Sequence, residues 1–145
     1  MAIHKIDGVD NVNHFPKKFV TLTATAAISK GDVVMIDTGT TTNGAGMHVK
    51  KTDAADDQLQ IGVAAEAASA AGDEIKIQVA GFNDDCTDSG SGITAGLLVG
   101  CDTAGKVETV SDQTATTKYF AVCVTTFTSG NADGAIMIVD HGFYG

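Results

Sequence analysis

Ile28-Ser29-Lys30-Gly31-Asp32-Val33-Val34-Met35-Ile36 is the stretch from which the fold can be read. A small-residue turn built on Gly runs straight into a β-branched run, and the chain repeats this arrangement. Gly72-Asp73-Glu74 leads into Ile75-Lys76-Ile77-Gln78-Val79, Gly96 into Leu97-Leu98-Val99, and Asp133-Gly134 into Ile136-Met137-Ile138-Val139. Two of these runs end alike, with Val79-Ala80-Gly81-Phe82 matching Asp140-His141-Gly142-Phe143 in register. Gly adopts the backbone conformations that tight turns require, while Val, Ile and Thr stiffen χ1 and pack well on a pleated surface. The unit predicts a scaffold of short strands.

The chain between the units extends that reading. Phe19-Val20-Thr21-Leu22-Thr23-Ala24-Thr25 alternates apolar and Thr positions, the period of a half-buried strand. Residues 38–46 are turn-rich, with Asn43-Gly44 suited to a hairpin, and Met47-His48-Val49-Lys50 restarts a strand. The alanines of 59–71 favour helix by propensity, yet Ile61-Gly62-Val63 begins like a strand; we read strand over 59–66 and turn over 69–73. Residues 83–92 form the longest clear loop. Leu97 to Cys101 and Lys106 to Val110 read as two arms of a hairpin closed by Asp102-Thr103-Ala104-Gly105. Residues 119–127 and 136–139 supply the last strands. Turn signals recur about every ten residues, which predicts an all-β sandwich or small barrel.

A chain of 145 residues suits one domain that buries about 70% of its unfolded surface, and 43% apolar residues suffice for a core. Its 18 Thr, 17 Gly and single Pro agree with short strands and tight turns. Residues 1–19 stand apart: Ile3, Ile6, Val9, Val12, Phe15 and Phe19 recur about every third residue among His, Asn, Lys and Asp. Gly8, Asn11, Asn13 and Pro16 argue against a helix there. We expect an arm over 1–19 with apolar anchors and one β domain over 20–145; a first strand folded on the core is the other reading of 1–19.

Charge excludes several function classes. All nine basic residues are Lys. Residues 1–51 hold six Lys and four Asp (+2), and residues 52–145 hold three Lys and fourteen acids (−11), which sum to −9. Nucleic-acid binders need clustered positive charge, so an acidic body argues against such a partner. Without Arg the chain lacks the planar fork that grips phosphate or carboxylate through two bonds. Cys86, Cys101 and Cys123 form no C-x-x-C pair and read as buried, reduced thiols. The N-terminus lacks the apolar core of a signal peptide, and no apolar run reaches about 18 residues. Synthesis in a reducing cytosol and no membrane partner are expected.

No catalytic constellation emerges. His4, His14, His48 and His141 are scattered without metal-ligand spacing. Asp84, Asp85, Asp88 and Gly90 lack the ligand alternation and distal Glu of a calcium loop. No Ser lies in a nucleophile elbow, and the Gly-rich stretches match no phosphate-cradling loop. A trimeric dUTPase-type hydrolase would need Arg-bearing motifs. A lipoyl-type carrier would need its Lys at a hairpin tip, whereas alternation puts Lys76 in mid-strand. No enzyme, cofactor or metal is expected.

The order of the units carries a resemblance. Ala27-Ile28-Ser29-Lys30-Gly31-Asp32-Val33-Val34, then Ile61-Gly62-Val63-Ala64, then Ala71-Gly72-Asp73-Glu74-Ile75-Lys76-Ile77-Gln78-Val79-Ala80-Gly81, resembles the small β-rich decoration, or cement, proteins of tailed-bacteriophage heads. The likeness is best over 20–82 and weaker over 93–139; each motif alone is only a turn and a strand. The acidic loops 52–58 and 83–92 depart from the pattern. The resemblance implies a β-tulip or sandwich-like fold, commonly a homotrimer, on the outer surface of a virion capsid. There it would brace neighbouring subunits of the major capsid protein, and it implies no catalytic residues. The arm then supplies the expected capsid-binding residues: Ile3, Ile6, Val12, Phe15 and Phe19 as anchors, with Lys5, Lys17 and Lys18 facing an acidic shell. The alternative is a receptor- or glycan-binding head or tail module. Loops 38–46, 83–92 and 111–118 contain no aromatic residue, which counts against it.

Overall fold

Each Gly-turn unit is closed by a side chain as well as by its glycine. A computed structural model describes residues 17–39, 48–55, 59–110 and 119–139. At the first turn the Ser29 N–H donates to Asp32 Oδ2 (2.8 Å) while the Asp32 N–H donates to the Ser29 carbonyl (3.1 Å). At the second, Asp73 Oδ2 accepts from the N–H groups of Ser69 (2.7 Å) and Ala70 (3.1 Å) and from the Ser69 hydroxyl (2.9 Å). At the fourth, Asp133 accepts from the Thr128 N–H (2.8 Å) and hydroxyl. Short side-chain acceptors bind backbone N–H groups that a tight turn leaves without a ladder partner. Gly31 shows why the glycine is needed: its φ is +88°, and a Cβ there would stand 2.2 Å from the Asp85 carbonyl oxygen.

The strands that follow are, among the described residues, nine in number, with no helix. They are β1 (Lys18–Ala24), β2 (Val33–Ile36), β3 (His48–Lys51), β4 (Gln60–Ala64), β5 (Glu74–Asn83), β6 (Leu98–Cys101), β7 (Val107–Thr109), β8 (Ala121–Thr125) and β9 (Ala135–Ile138). The all-β expectation holds, and 59–66 is strand over 60–64. Met47 and Asn43-Gly44 lie outside the described residues. β6 and β7 form the expected hairpin, with Cys101 opposite Val107.

Five strands close on themselves in the order β1-β3-β2-β4-β5, with β5 returning to β1. The β1–β3 contact is parallel and short, Thr23 to His48 and Ala24 to Val49; the other contacts in the ring are antiparallel. The result is a small barrel that carries a second sheet, β5-β9-β8-β6-β7. β5 belongs to both. Its first part pairs with β1 and β4, and Gly81-Phe82-Asn83 pairs with β9. At the crossing Gly81 has φ +94°. A buried polar chain satisfies the bend: Gln78 Nε2 donates to the Ala80 and Phe82 carbonyls (3.1 and 2.8 Å), and Asn83 Nδ2 donates to Gln78 Oε1 (3.0 Å). Asn83 Oδ1 in turn accepts from the Asp85 N–H and the Cys86 thiol, both at 3.0 Å. Buried amides persist where such partners exist.

Two cores result. Ala24, Ile28, Val34, Val49, Ala64, Ala68, Ile75 and Ile77 fill the barrel. The second core packs Val33 and Val63 with Cys86, Ile93, Val99, Cys101, Val107, Phe120, Ala121, Cys123, Phe127, Ile136 and Ile138. Successive strand residues point to opposite faces. Val33 and Val34, like Val63 and Ala64, therefore send one side chain into each core, and neighbouring positions are both buried.

The four units resolve into two pairs. Ile28 and Ala68 exchange backbone bonds (3.0 and 2.8 Å), as do Ile93 and Phe127 (3.2 and 2.9 Å). Each of the four is buried, each precedes a Ser or Thr, and each stands a few residues ahead of its strand.

Candidate functional site

Among the described residues, Asp32, Asp73, Asp88, Asp102 and Asp133 hold turns. Asp88 is 2% exposed, and its Oδ2 accepts the N–H groups of Gly90 (2.9 Å), Gly92 (2.8 Å) and Gly130 (2.8 Å), tying the loop after β5 to the loop after β8. Asp102 Oδ1 holds the β6–β7 hairpin through Ala104 N–H (2.8 Å) and Lys106 N–H (2.7 Å). Hydrogen bonds from the Ser69 side chain and the local backbone hold Asp73 below its ordinary value of 3.8, and those from Thr128 do the same for Asp133. These carboxylates stay ionised as acceptors and are poorly placed as acids. Asp85 pairs with Lys30 (2.8 Å), Asp53 with Lys50 (2.6 Å) and Glu66 with Lys76 (3.4 Å).

The thiols are equally committed. Cys86, Cys101 and Cys123 are free and buried, as the sequence predicts. Burial pushes the Cys86 thiol up to about 12, so the nucleophilic thiolate is scarce at neutral pH. Among the described residues no group of three His, Cys, Asp or Glu is placed to hold a metal ion. Among the same residues no helix is long and apolar enough to cross a membrane.

What remains is surface, and its most distinctive part lies at the start of β1. Phe19 (48% exposed) and Val20 (38%) are adjacent, so they project from opposite faces of the barrel wall. Val20 lies opposite Ile77 and Leu22 opposite Ile75, on the side that enters the barrel core; Phe19 lies opposite Gln78 on the outer side. Lys17 and Lys18 are exposed beside them.

Three of the eight expected capsid-binding residues are therefore placed together: Lys17, Lys18 and Phe19, the last two being the first residues of β1. Ile3, Lys5, Ile6, Val12 and Phe15 lie outside the described residues. Two features escaped sequence reasoning. The turn-holding role of Asp88 depends on Gly130, 42 residues away, and the exposure of Val20 depends on where the barrel wall ends. The Ser or Thr ahead of the turns at Asp32, Asp73 and Asp133 was visible and carried the signal for those three clamps.

No match was found among curated proteins. A family model described as phage cement protein matches residues 12–138, which spans every described strand and the last part of the expected arm. The two-core β scaffold, the carboxylates engaged in turns and this match over most of the chain agree: the chain belongs to the phage cement protein family.

Proposed function

We propose that this chain is a capsid decoration protein that binds the outer surface of a phage head and braces contacts between subunits of the major capsid protein. The family match over 12–138 is the observation that carries this reading, because cement proteins associate with phage capsids. The supporting physical features are a double-core β scaffold and carboxylates committed to its turns. Mechanically, packaged DNA strains the contacts between shell subunits. A protein that bridges several of them raises the free energy of opening through mass action and multivalency.

The binding surface in this proposal comprises Ile3, Lys5, Ile6, Val12, Phe15, Lys17, Lys18 and Phe19. Apolar anchors would enter pockets or strand edges on the shell, and the lysines would meet its acidic groups. A homotrimer places three such arms on one particle, which raises avidity without new contacts.

Co-sedimentation of purified protein with undecorated heads tests the reading directly. The full chain should pellet with heads and raise their resistance to heat or osmotic shock, and deletion of residues 2–18 should abolish both. Equal binding by the truncated chain would remove the arm from the mechanism. Mass measurement of the free protein checks the trimer.

A further inference from the structure

We propose that the outer face of the second sheet is where three copies of this chain meet around a common axis; this rests on the homotrimer reading above and names its contact surface. Four strands carry an apolar row across that face in register. Phe82 of β5 lies opposite Met137 of β9, Met137 opposite Val122 of β8, and Val122 opposite Leu98 of β6. Their strand neighbours Ile136, Ile138, Ala121, Cys123 and Val99 belong to the second core, so the row points the other way. All four side chains are partly buried, and none belongs to either core. Val124 (46% exposed) and Leu97 (37%) extend the row, with the Cys123 N–H donating to the Leu97 carbonyl (2.9 Å).

The residue pattern is that of a sheet covered on both sides. A strand with one wet face alternates apolar and polar residues, as β1 does at Val20-Thr21-Leu22-Thr23, whereas a strand covered twice reads as a continuous apolar run. β8 begins Ala121-Val122-Cys123-Val124, and β9 is Ala135-Ile136-Met137-Ile138. The occupant follows from availability and charge. An apolar face left open invites association, and copies of the chain are the partner always present beside the free protein. Contacts between identical subunits are also the more apolar class. Copies of net charge −9 repel as bodies, so contact costs least through a surface that brings no carboxylates together. β6, β8 and β9 carry no charged residue, while Glu108 on β7 and Asp84 and Asp133 beyond strand ends lie around the row. Threefold closure uses each face once and leaves none open for further growth.

Native mass measurement of the full-length protein, combined with hydroxyl-radical labelling of side chains, tests this. The wild type should be a trimer in which Phe82, Leu98 and Met137 label slowly. Val124→Asp, at the most exposed of these positions, and Val122→Asp, within the row, should each raise the dissociation constant on the order of 100-fold, with the fold verified by circular dichroism. Labelling of Met137 should rise as the trimer dissociates. Thr103→Asp adds the same charge at the exposed β6–β7 turn and should leave the trimer unchanged. Added salt should tighten the trimer, because it screens acidic bodies held together by an apolar contact. A trimer indifferent to both Val substitutions would overturn the proposal and leave the trimer and decoration readings standing. A wild-type monomer or dimer would overturn the proposal and the trimer together, and co-sedimentation with heads would still judge the decoration reading. Slow labelling in a monomer would assign the cover to the chain itself, and slow labelling only on heads would assign it to the shell; either overturns the proposal.

Discussion

The barrel and the second sheet are built from the same unit, yet they hold together differently. In the barrel pair, Asp32 and Asp73 follow their glycines and close their turns on Ser29 and Ser69. In the other pair, Asp133 precedes Gly134, and the turn at 94–97 has no carboxylate; there Ala95 N–H donates to Thr126 Oγ1 (3.1 Å). The barrel core is made of Ile, Val and Ala, while the second core contains both fully buried Phe residues. A closed ring of paired strands needs only small side chains to fill its centre. A sheet laid over the barrel's outer wall must fill a wider gap, and aromatic residues supply that volume. One local rule thus serves two packing problems, and the difference lies in side-chain volume.

The largest test of that contrast is Phe127→Ala. The ring sits against Gly134, where a Cβ would come within 2.4 Å of it, and is 1% exposed. Its removal should cost about 3–5 kcal/mol in chemical denaturation, against about 1 kcal/mol for Ile77→Val in the barrel. Equal losses would erase the distinction between the two cores. Next comes Asp88→Ala, which strands the N–H groups of Gly90, Gly92 and Gly130. A loss of roughly 2–3 kcal/mol is expected, with faster amide exchange in 88–93 and 128–131 while β1–β4 stay protected. Uniform exchange throughout would show that the two sheets open as one.

Gly31→Ala probes the barrel's first turn. Strain at φ +88° and the approach to the Asp85 carbonyl should together cost about 1–3 kcal/mol by thermal or urea unfolding. Loss of the Lys30–Asp85 ion pair would not enlarge this much, because both side chains are exposed.

The smallest effect is on the acid limb. Asp73 and Asp133 titrate below 3.8 when folded, so their contribution is present above that value and fades as pH falls through the lower folded value. Asp73→Asn and Asp133→Asn should each flatten the loss of stability below about pH 4, read as a shift in the acid-unfolding midpoint. The two should match, since exposed Ser or Thr donors hold both carboxylates. A shift for one alone would separate the barrel turn from the sheet turn.

Much of this was legible locally. Gly31-Asp32 before Val33–Ile36 marks a turn and a strand whatever surrounds it, because φ > 0 and χ1 stiffness are properties of single residues. The arms of the β6–β7 hairpin could be read for the same reason. Which units pair could not. Ile28 meets Ala68 and Ile93 meets Phe127 across 40 and 34 residues, and nothing local names the partner. For the candidate site, Lys17, Lys18 and Phe19 stood out by charge and apolarity; the exposure of Val20 beside them depends on how the barrel packs.

By itself, then, the sequence determined an all-β scaffold of Gly-turn units, an acidic surface without Arg, and a likeness to capsid cement proteins. These follow from backbone preference, side-chain stiffness and charge, which each residue carries wherever it is placed. Tertiary structure alone decided that five strands close into a barrel and that Val33 and Val34 serve separate cores. Closure and pairing are set by which distant surfaces bury each other, a property of the whole chain.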